Sequence, residues 1–142
     1  MCIRDRYTGT ALLDTGGSRS LIAKSRIPNN VKVTRLERTY KAISSGGPVS
    51  HVEVVKFDRM CFPQFEMEVW RADVEFIVFD DHGHSYYDVI IGRDLLTPLG
   101  FEFSFVDRTV TWMNETIPFV ARDKKPSIPD PEKVHDLSLI HI

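Results

Sequence analysis

A single carboxylate closes an otherwise apolar run near the start of the chain. Asp14 follows Ala11-Leu12-Leu13 directly, and Thr15, Gly16, Gly17 and Ser18 come next. A short, continuously apolar run that ends in a turn reads as a buried strand. A carboxylate at the end of such a strand costs free energy unless it is hydrogen-bonded or paired. Glycine beside Thr15 lets the chain turn sharply and brings backbone amides close to that carboxylate. The rest of the chain must supply the partners that make Asp14 tolerable there, and this narrows the folds open to it.

The chain has 142 residues, enough for one domain with its own core. Apolar residues make up 42% and the net charge is -2. That balance suits a folded globular domain and offers no basic face to nucleic acid or anionic lipid. No apolar run reaches membrane-spanning length, and no secretory signal pattern is present. Direct nucleic-acid binding and a membrane partner are therefore not expected, and a cytoplasmic, intracellular location is.

The two ends read as foreign. Codons for Met1-Cys2-Ile3-Arg4-Asp5, read from the opposite strand of the same short duplex, yield Leu137-Ser138-Leu139-Ile140-His141-Ile142. This looks like the end of a transposase-based sequencing adapter. Residues 1–6 and 137–142 are expected to be scars with no part in specifying the fold. With Cys2 in the first tail, Cys61 stands alone. A lone cysteine forms no internal disulfide, which suits a reducing compartment, and it is expected as a packed or partly exposed thiol.

Between the tails the pattern is one of short strands and tight turns. Leu21-Ile22-Ala23-Lys24 continues as strand or as one helical turn before Pro28. Val31 and Val33 alternate with polar residues, as in a half-buried strand. Tyr40-Lys41-Ala42-Ile43 and Pro48-Val49-Ser50-His51-Val52-Glu53-Val54-Val55 flank the small residues Ser44-Ser45-Gly46-Gly47, which predicts a hairpin with a flexible tip. Phe65-Glu66-Met67-Glu68-Val69-Trp70 and Phe76-Ile77-Val78-Phe79 read as further strands. Asp80-Asp81-His82-Gly83-His84-Ser85 reads as a solvated connector. Its two histidines lack helical spacing and no second ligand cluster appears, so neither metal nor cofactor is expected. The β-branched Val89-Ile90-Ile91 is a buried strand broken by Gly92. Arg93 to Leu99 reads as one short helix stopped by Gly100. Phe101, Phe103 and Phe105, then Val110-Thr111-Trp112, then Ile117-Pro118-Phe119-Val120, give the last strands. Residues 122–136 are charged and proline-rich, which predicts a linker.

Leu12-Leu13-Asp14-Thr15-Gly16-Gly17-Ser18, followed downstream by Val89-Ile90-Ile91-Gly92-Arg93-Asp94-Leu95-Leu96, resembles the retropepsins, the single-domain aspartic proteases of retroviruses and LTR retrotransposons. Leu99-Gly100-Phe101-Glu102-Phe103 with Thr109-Val110-Thr111-Trp112 is most similar to gypsy-type retrotransposon polyproteins. The resemblance covers about Leu12 to Val120. It implies an all-β fold: a retropepsin-like closed barrel (the acid-protease fold) with one short helix in the C-terminal half and a flap hairpin, occupying residues 7–121. It implies an aspartic endopeptidase that processes its own polyprotein, without a cofactor. Asp14, Thr15 and Gly16 would be the catalytic turn. Ile43, Ser44, Ser45, Gly46 and Gly47 would form the flap, and Ile90 would line the substrate pocket. Ser18, Gly92, Arg93 and Asp94 would support the site, Arg93 by charge-assisted hydrogen bonds to the turn or the dimer contact.

One count carries the mechanism that the resemblance implies. Aspartic protease chemistry needs two facing carboxylates, one charged and one protonated, and this chain has one Asp-Thr-Gly. The expected active form is a two-fold symmetric homodimer acting on peptide or polyprotein. Gly17 departs from relatives that carry Ala or Ser there, and Pro48 removes one flap donor. The competing expectation is a catalytically silent binding or structural descendant in which dimerisation fails.

Overall fold

The computed structural model describes residues 9–44, 46–62, 64–65, 71–120 and 139–141. The expected strand across residues 66–70, the linker at 122–136, residues 1–6 and flap residue Ser45 lie outside the described residues. Ten strands and one α-helix appear in the order β1 (Thr10–Leu13), β2 (Leu21–Ala23), β3 (Val33–Ser44), β4 (Gly47–Met60), β5 (Arg71–Phe79), β6 (Val89–Ile91), α1 (Arg93–Leu99), β7 (Glu102–Ser104), β8 (Thr109–Trp112), β9 (Glu115–Pro118) and β10 (Leu139–His141). Both readings of the segment after Ser20 hold in part, because β2 runs straight into a 3-10 turn at Lys24–Arg26.

Seven strands form one mixed sheet in the order β10-β1-β6-β2-β5-β4-β3, and β7-β8-β9 form a second, antiparallel one. The expected barrel closure is not found: among the described residues no pairing joins β3 to β10 or β1. The physical reason lies in β3, which contains no buried residue. A strand with two wet faces has no apolar face with which to close a barrel wall. β3 and β4 instead form one long hairpin, into which the separately expected segments around Val33 and Tyr40 merge.

β1 pairs in parallel with β6, which places Ala11 beside Val89, Leu12 beside Ile90 and Leu13 beside Ile91. β2 runs antiparallel to β6 and parallel to β5. Leu139–His141, expected to stand apart from the fold, pairs in parallel with the outer edge of β1. Such pairing requires only an open strand edge.

Alternation along β1, β4, β5, β6 and β8 sends Leu13, Val55, Phe57, Val74, Phe76, Val89, Ile91, Val110 and Trp112 into one core. Each large side chain buried there contributes about 1.5–3 kcal/mol relative to exposure. Phe62, Phe65, Phe101 and Trp112 form an aromatic nest, with Phe101 and Trp112 stacked at 5.3 Å. The Trp112 indole N–H donates to the Leu99 carbonyl at 2.8 Å, satisfying its buried polar edge. That bond fastens β8 to the end of α1. Gly100 ends the helix in the left-handed region (φ 73°), which glycine adopts without a Cβ penalty. Cys61 is buried, as a packed thiol should be. No helix among the described residues is long and apolar enough to cross a membrane.

Candidate active site

The site is built from the ends of three elements that meet behind Asp14. The Asp14 amide donates to the Ile91 carbonyl at 2.9 Å, extending the β1–β6 pairing to the carboxylate-bearing residue. The chain then turns, with the Gly17 amide donating to the Asp14 carbonyl at 3.2 Å. The turn aims the Gly16 amide at the half-buried carboxylate, and this N–H donates to Asp14 Oδ1 at 3.0 Å. Among the described residues Oδ2 accepts no hydrogen bond. Thr15 and Gly16 are exposed.

Close approach explains two glycines. A Cβ on Gly17 would lie 2.9 Å from Asp14 Oδ2, and one on Gly92 would lie 2.5 Å from the Arg19 carbonyl oxygen. The Gly92 contact is against backbone, which has nowhere to move. Behind the turn, Ser20 is fully buried and makes four hydrogen bonds. Its hydroxyl donates to Asp94 Oδ1 at 2.7 Å and accepts from the Gly92 amide at 2.9 Å. Its amide donates to Asp94 Oδ2 at 3.0 Å, and its carbonyl accepts from the Ile77 amide at 2.9 Å. One serine thus joins the loop after Asp14, the start of α1 and β5, with every polar group it buries satisfied.

Arg93 meets the turn through its backbone. Its amide donates to the Gly17 carbonyl at 2.9 Å, while its side chain is exposed. The charged pair at this corner is Arg19 with Asp94, at 3.4 Å, and Arg19 reaches on to Glu75 in β5 at 2.9 Å. Both contacts are partly solvated, so their worth is modest. Ser20, Arg19 and Glu75 were not legible as supports, because their partners are remote in sequence (74 residues for Ser20 and Asp94). The only local signal is a small polar residue set against an apolar strand.

Ser18 is exposed, and its hydroxyl lies 2.8 Å from that of Tyr40 in β3. Ile90 is half-buried and points to the opposite face of the sheet from the buried Val89 and Ile91. At the hairpin tip, the Ser44 hydroxyl donates to the Gly47 carbonyl at 3.0 Å and accepts from the Gly46 amide at 3.2 Å. Gly47 adopts φ 109°, a conformation that a side chain would strain. Ile43, beside that tip, is 88% exposed.

A family model described as retroviral aspartyl protease matches residues 3–104, more than half of the chain. The chain belongs to this family, and its fold is the all-β acid-protease fold. One similar solved structure is the crystal structure of the retroviral protease-like domain of Ddi1 from Leishmania major. It is 16% identical, with a TM-score of 0.42 over 82% of this chain and 83% of that one. No curated protein sequence matches the chain.

Proposed function

We propose that the chain is an aspartic endopeptidase whose active site is completed by a second copy of itself. The observation that carries this reading is the state of Asp14. Its Oδ1 is held by the Gly16 amide, its Oδ2 accepts no hydrogen bond among the described residues, and the chain has one Asp-Thr-Gly. In a two-fold homodimer Asp14 and its mate would stand about 3 Å apart and share one proton. The charged carboxylate takes a proton from water as the water oxygen attacks the peptide carbonyl carbon. The protonated carboxylate gives its proton to the carbonyl oxygen. Proton return to the amide nitrogen then lets the carbon–nitrogen bond break, releasing an acid and an amine.

Thr15 is assigned to stiffening the dyad across the axis and Gly16 to the turn. Ile43, Ser44, Ser45, Gly46 and Gly47 act as the flap over substrate, Ile90 as pocket wall, and Ser18, Gly92 and Asp94 as supports. The exposed Arg93 side chain is available for the dimer contact. The protease unit is residues 7–121, with 122–136 as linker, and its substrate is the parent retrotransposon polyprotein, of gypsy type, inside the cell.

Dimerisation makes a quantitative demand. Below the dimer dissociation constant, the rate of peptide cleavage rises with the square of protein concentration. Strict proportionality in a chain shown to be monomeric by sedimentation would overturn the shared dyad.

A further inference from the structure

The long hairpin is not a regular ladder. Arg35 pairs with Glu53 and Tyr40 pairs with His51, so residues 36–39 of β3 stand opposite Val52 alone. A bulge of this parity inverts the alternation of side chains. Without it, Thr39 would share a face with Arg35; with it, Tyr40 does. Tyr40 is thereby turned onto the face that carries His51 and Glu53. Its ring stacks on His51 with centroids 6.0 Å apart, and its hydroxyl lies 2.8 Å from Ser18 Oγ. On the same face Glu53 meets Lys24 at 3.2 Å, just after β2. Bulges of this kind re-aim a side chain beside a functional site.

We propose that Tyr40 is a positioning residue that latches the flap arm to the catalytic loop, with Ser18 as its seat and the His51 ring fixing its orientation. Ser18 follows Asp14 by four residues and Tyr40 precedes Ile43 by three. The hydroxyl pair is thus a short route by which the position of the flap tip can be coupled to the carboxylate turn. Its consequence for catalysis rests on the proteolytic reading above; the latch itself does not. One hydroxyl–hydroxyl bond at an exposed site shifts an open–closed equilibrium by about two- to tenfold.

Hydrogen exchange of the full chain, read by mass spectrometry on peptides covering residues 41–49, reports opening of the hairpin end, with β5 peptides as internal reference. Tyr40→Phe and Ser18→Ala each speed exchange there by about two- to tenfold, and the double variant is no faster than the faster single. Ser18→Thr, which keeps a hydroxyl, retains the protection. In peptide cleavage, Tyr40→Phe raises KM by more than it lowers kcat. Unchanged exchange in Tyr40→Phe, or effects that multiply in the double variant, overturns the latch. An exchange response in a chain that cleaves no peptide keeps the latch and rejects the protease reading. Normal cleavage without an exchange response rejects the latch alone.

Discussion

Asp14 sits on a turn gripped from behind by three separate elements, whereas Ile43 stands near the tip of a hairpin, beyond the part of β4 that pairs with β5. Behind Asp14 the bonds are short and cross-link several elements, the Ser20–Gly92 bond being buried and those from Ser20 to Asp94 partly so: Ile91 to Asp14, Ser20 to Gly92 and Asp94, and Gly17 to Arg93. β3 buries no residue, and the tip half of the hairpin meets the body through two solvent-exposed contacts, Tyr40 of β3 to Ser18 and Glu53 of β4 to Lys24. On the proposed proteolytic reading, the difference matches what each region would have to do. A carboxylate pair works only within a fraction of an ångström of its productive geometry. A flap has to open and close on the timescale of turnover, so it is drawn from the weakly held end of the structure.

The largest effect expected in this comparison is at its rigid end. Asp14→Asn removes the group that holds and accepts the proton, so peptide cleavage falls on the order of 10³-fold or more. The urea midpoint stays within the range of an ordinary surface change. Parent-like cleavage by this variant would reject the mechanism. Gly92→Ala next probes the grip itself. Its Cβ meets the Arg19 carbonyl at 2.5 Å, and backbone cannot step aside, so stability falls by about 1–3 kcal/mol in urea titration. Gly17→Ala is the control. Its Cβ meets the end of the Asp14 side chain at 2.9 Å, which can rotate, so it costs less stability than Gly92→Ala while disturbing activity. Equal stability losses would mean that the two close approaches are held alike.

Ser20→Ala comes next in size. It leaves the Gly92 amide and one Asp94 oxygen without their buried partner, a loss of about 1–3 kcal/mol by urea titration. An unchanged midpoint would show that water replaces the hydroxyl and that the serine is not the hub its bonds suggest. At the flap end the split reverses. Ile43→Ser changes stability by no more than about 0.5 kcal/mol, because 88% of the side chain is already in water. KM for peptide should rise, since the apolar tip is lost. A flap variant that unfolds the domain would erase the contrast between the two regions.

The same contrast governs what could be read from sequence. Val89–Ile91, Arg93–Leu99 and the Gly100 stop were legible to the residue, because β-branched runs, a short helix and a left-handed cap are local signals. The strand that ends in a turn at Asp14 was legible from an apolar run closed by a carboxylate. Ser20 was not, because a serine says nothing about burial until its Asp94 partner is brought to it. The Arg19–Asp94 pairing was hidden for the same reason. Tyr40 was hidden by the bulge: counting by twos along β3 places it on the wrong face. Barrel closure failed as an expectation because it depends on which faces of β3 are wet, a property of the assembled hairpin.

The smallest expected effect lies in the connector between β5 and β6, which is gripped in the manner of the turn at Asp14 though it is exposed like the hairpin tip. The Ser25 hydroxyl donates to Asp81 Oδ2 at 2.6 Å and the Ser25 amide donates to Oδ1 at 3.1 Å. Partial desolvation pushes the Asp81 pKa up, but the two hydrogen bonds from Ser25, with backbone ones from Asp81 itself and Ser85, together outweigh it and bring it down from 3.8 to about 2. A folded-state pKa below the unfolded one adds stability that is present above the unfolded value and is lost as pH falls through the folded one. The contribution is therefore whole near neutral pH and disappears between about pH 4 and pH 2. Solvent screening keeps it below about 1 kcal/mol. Ser25→Ala should lower the urea midpoint slightly at pH 6, and its deficit relative to the parent should close as pH approaches 2. A deficit that stays constant with pH would mean that Ser25 acts through packing alone, and that exposed loops in this fold gain nothing from the kind of carboxylate grip that fixes the turn at Asp14.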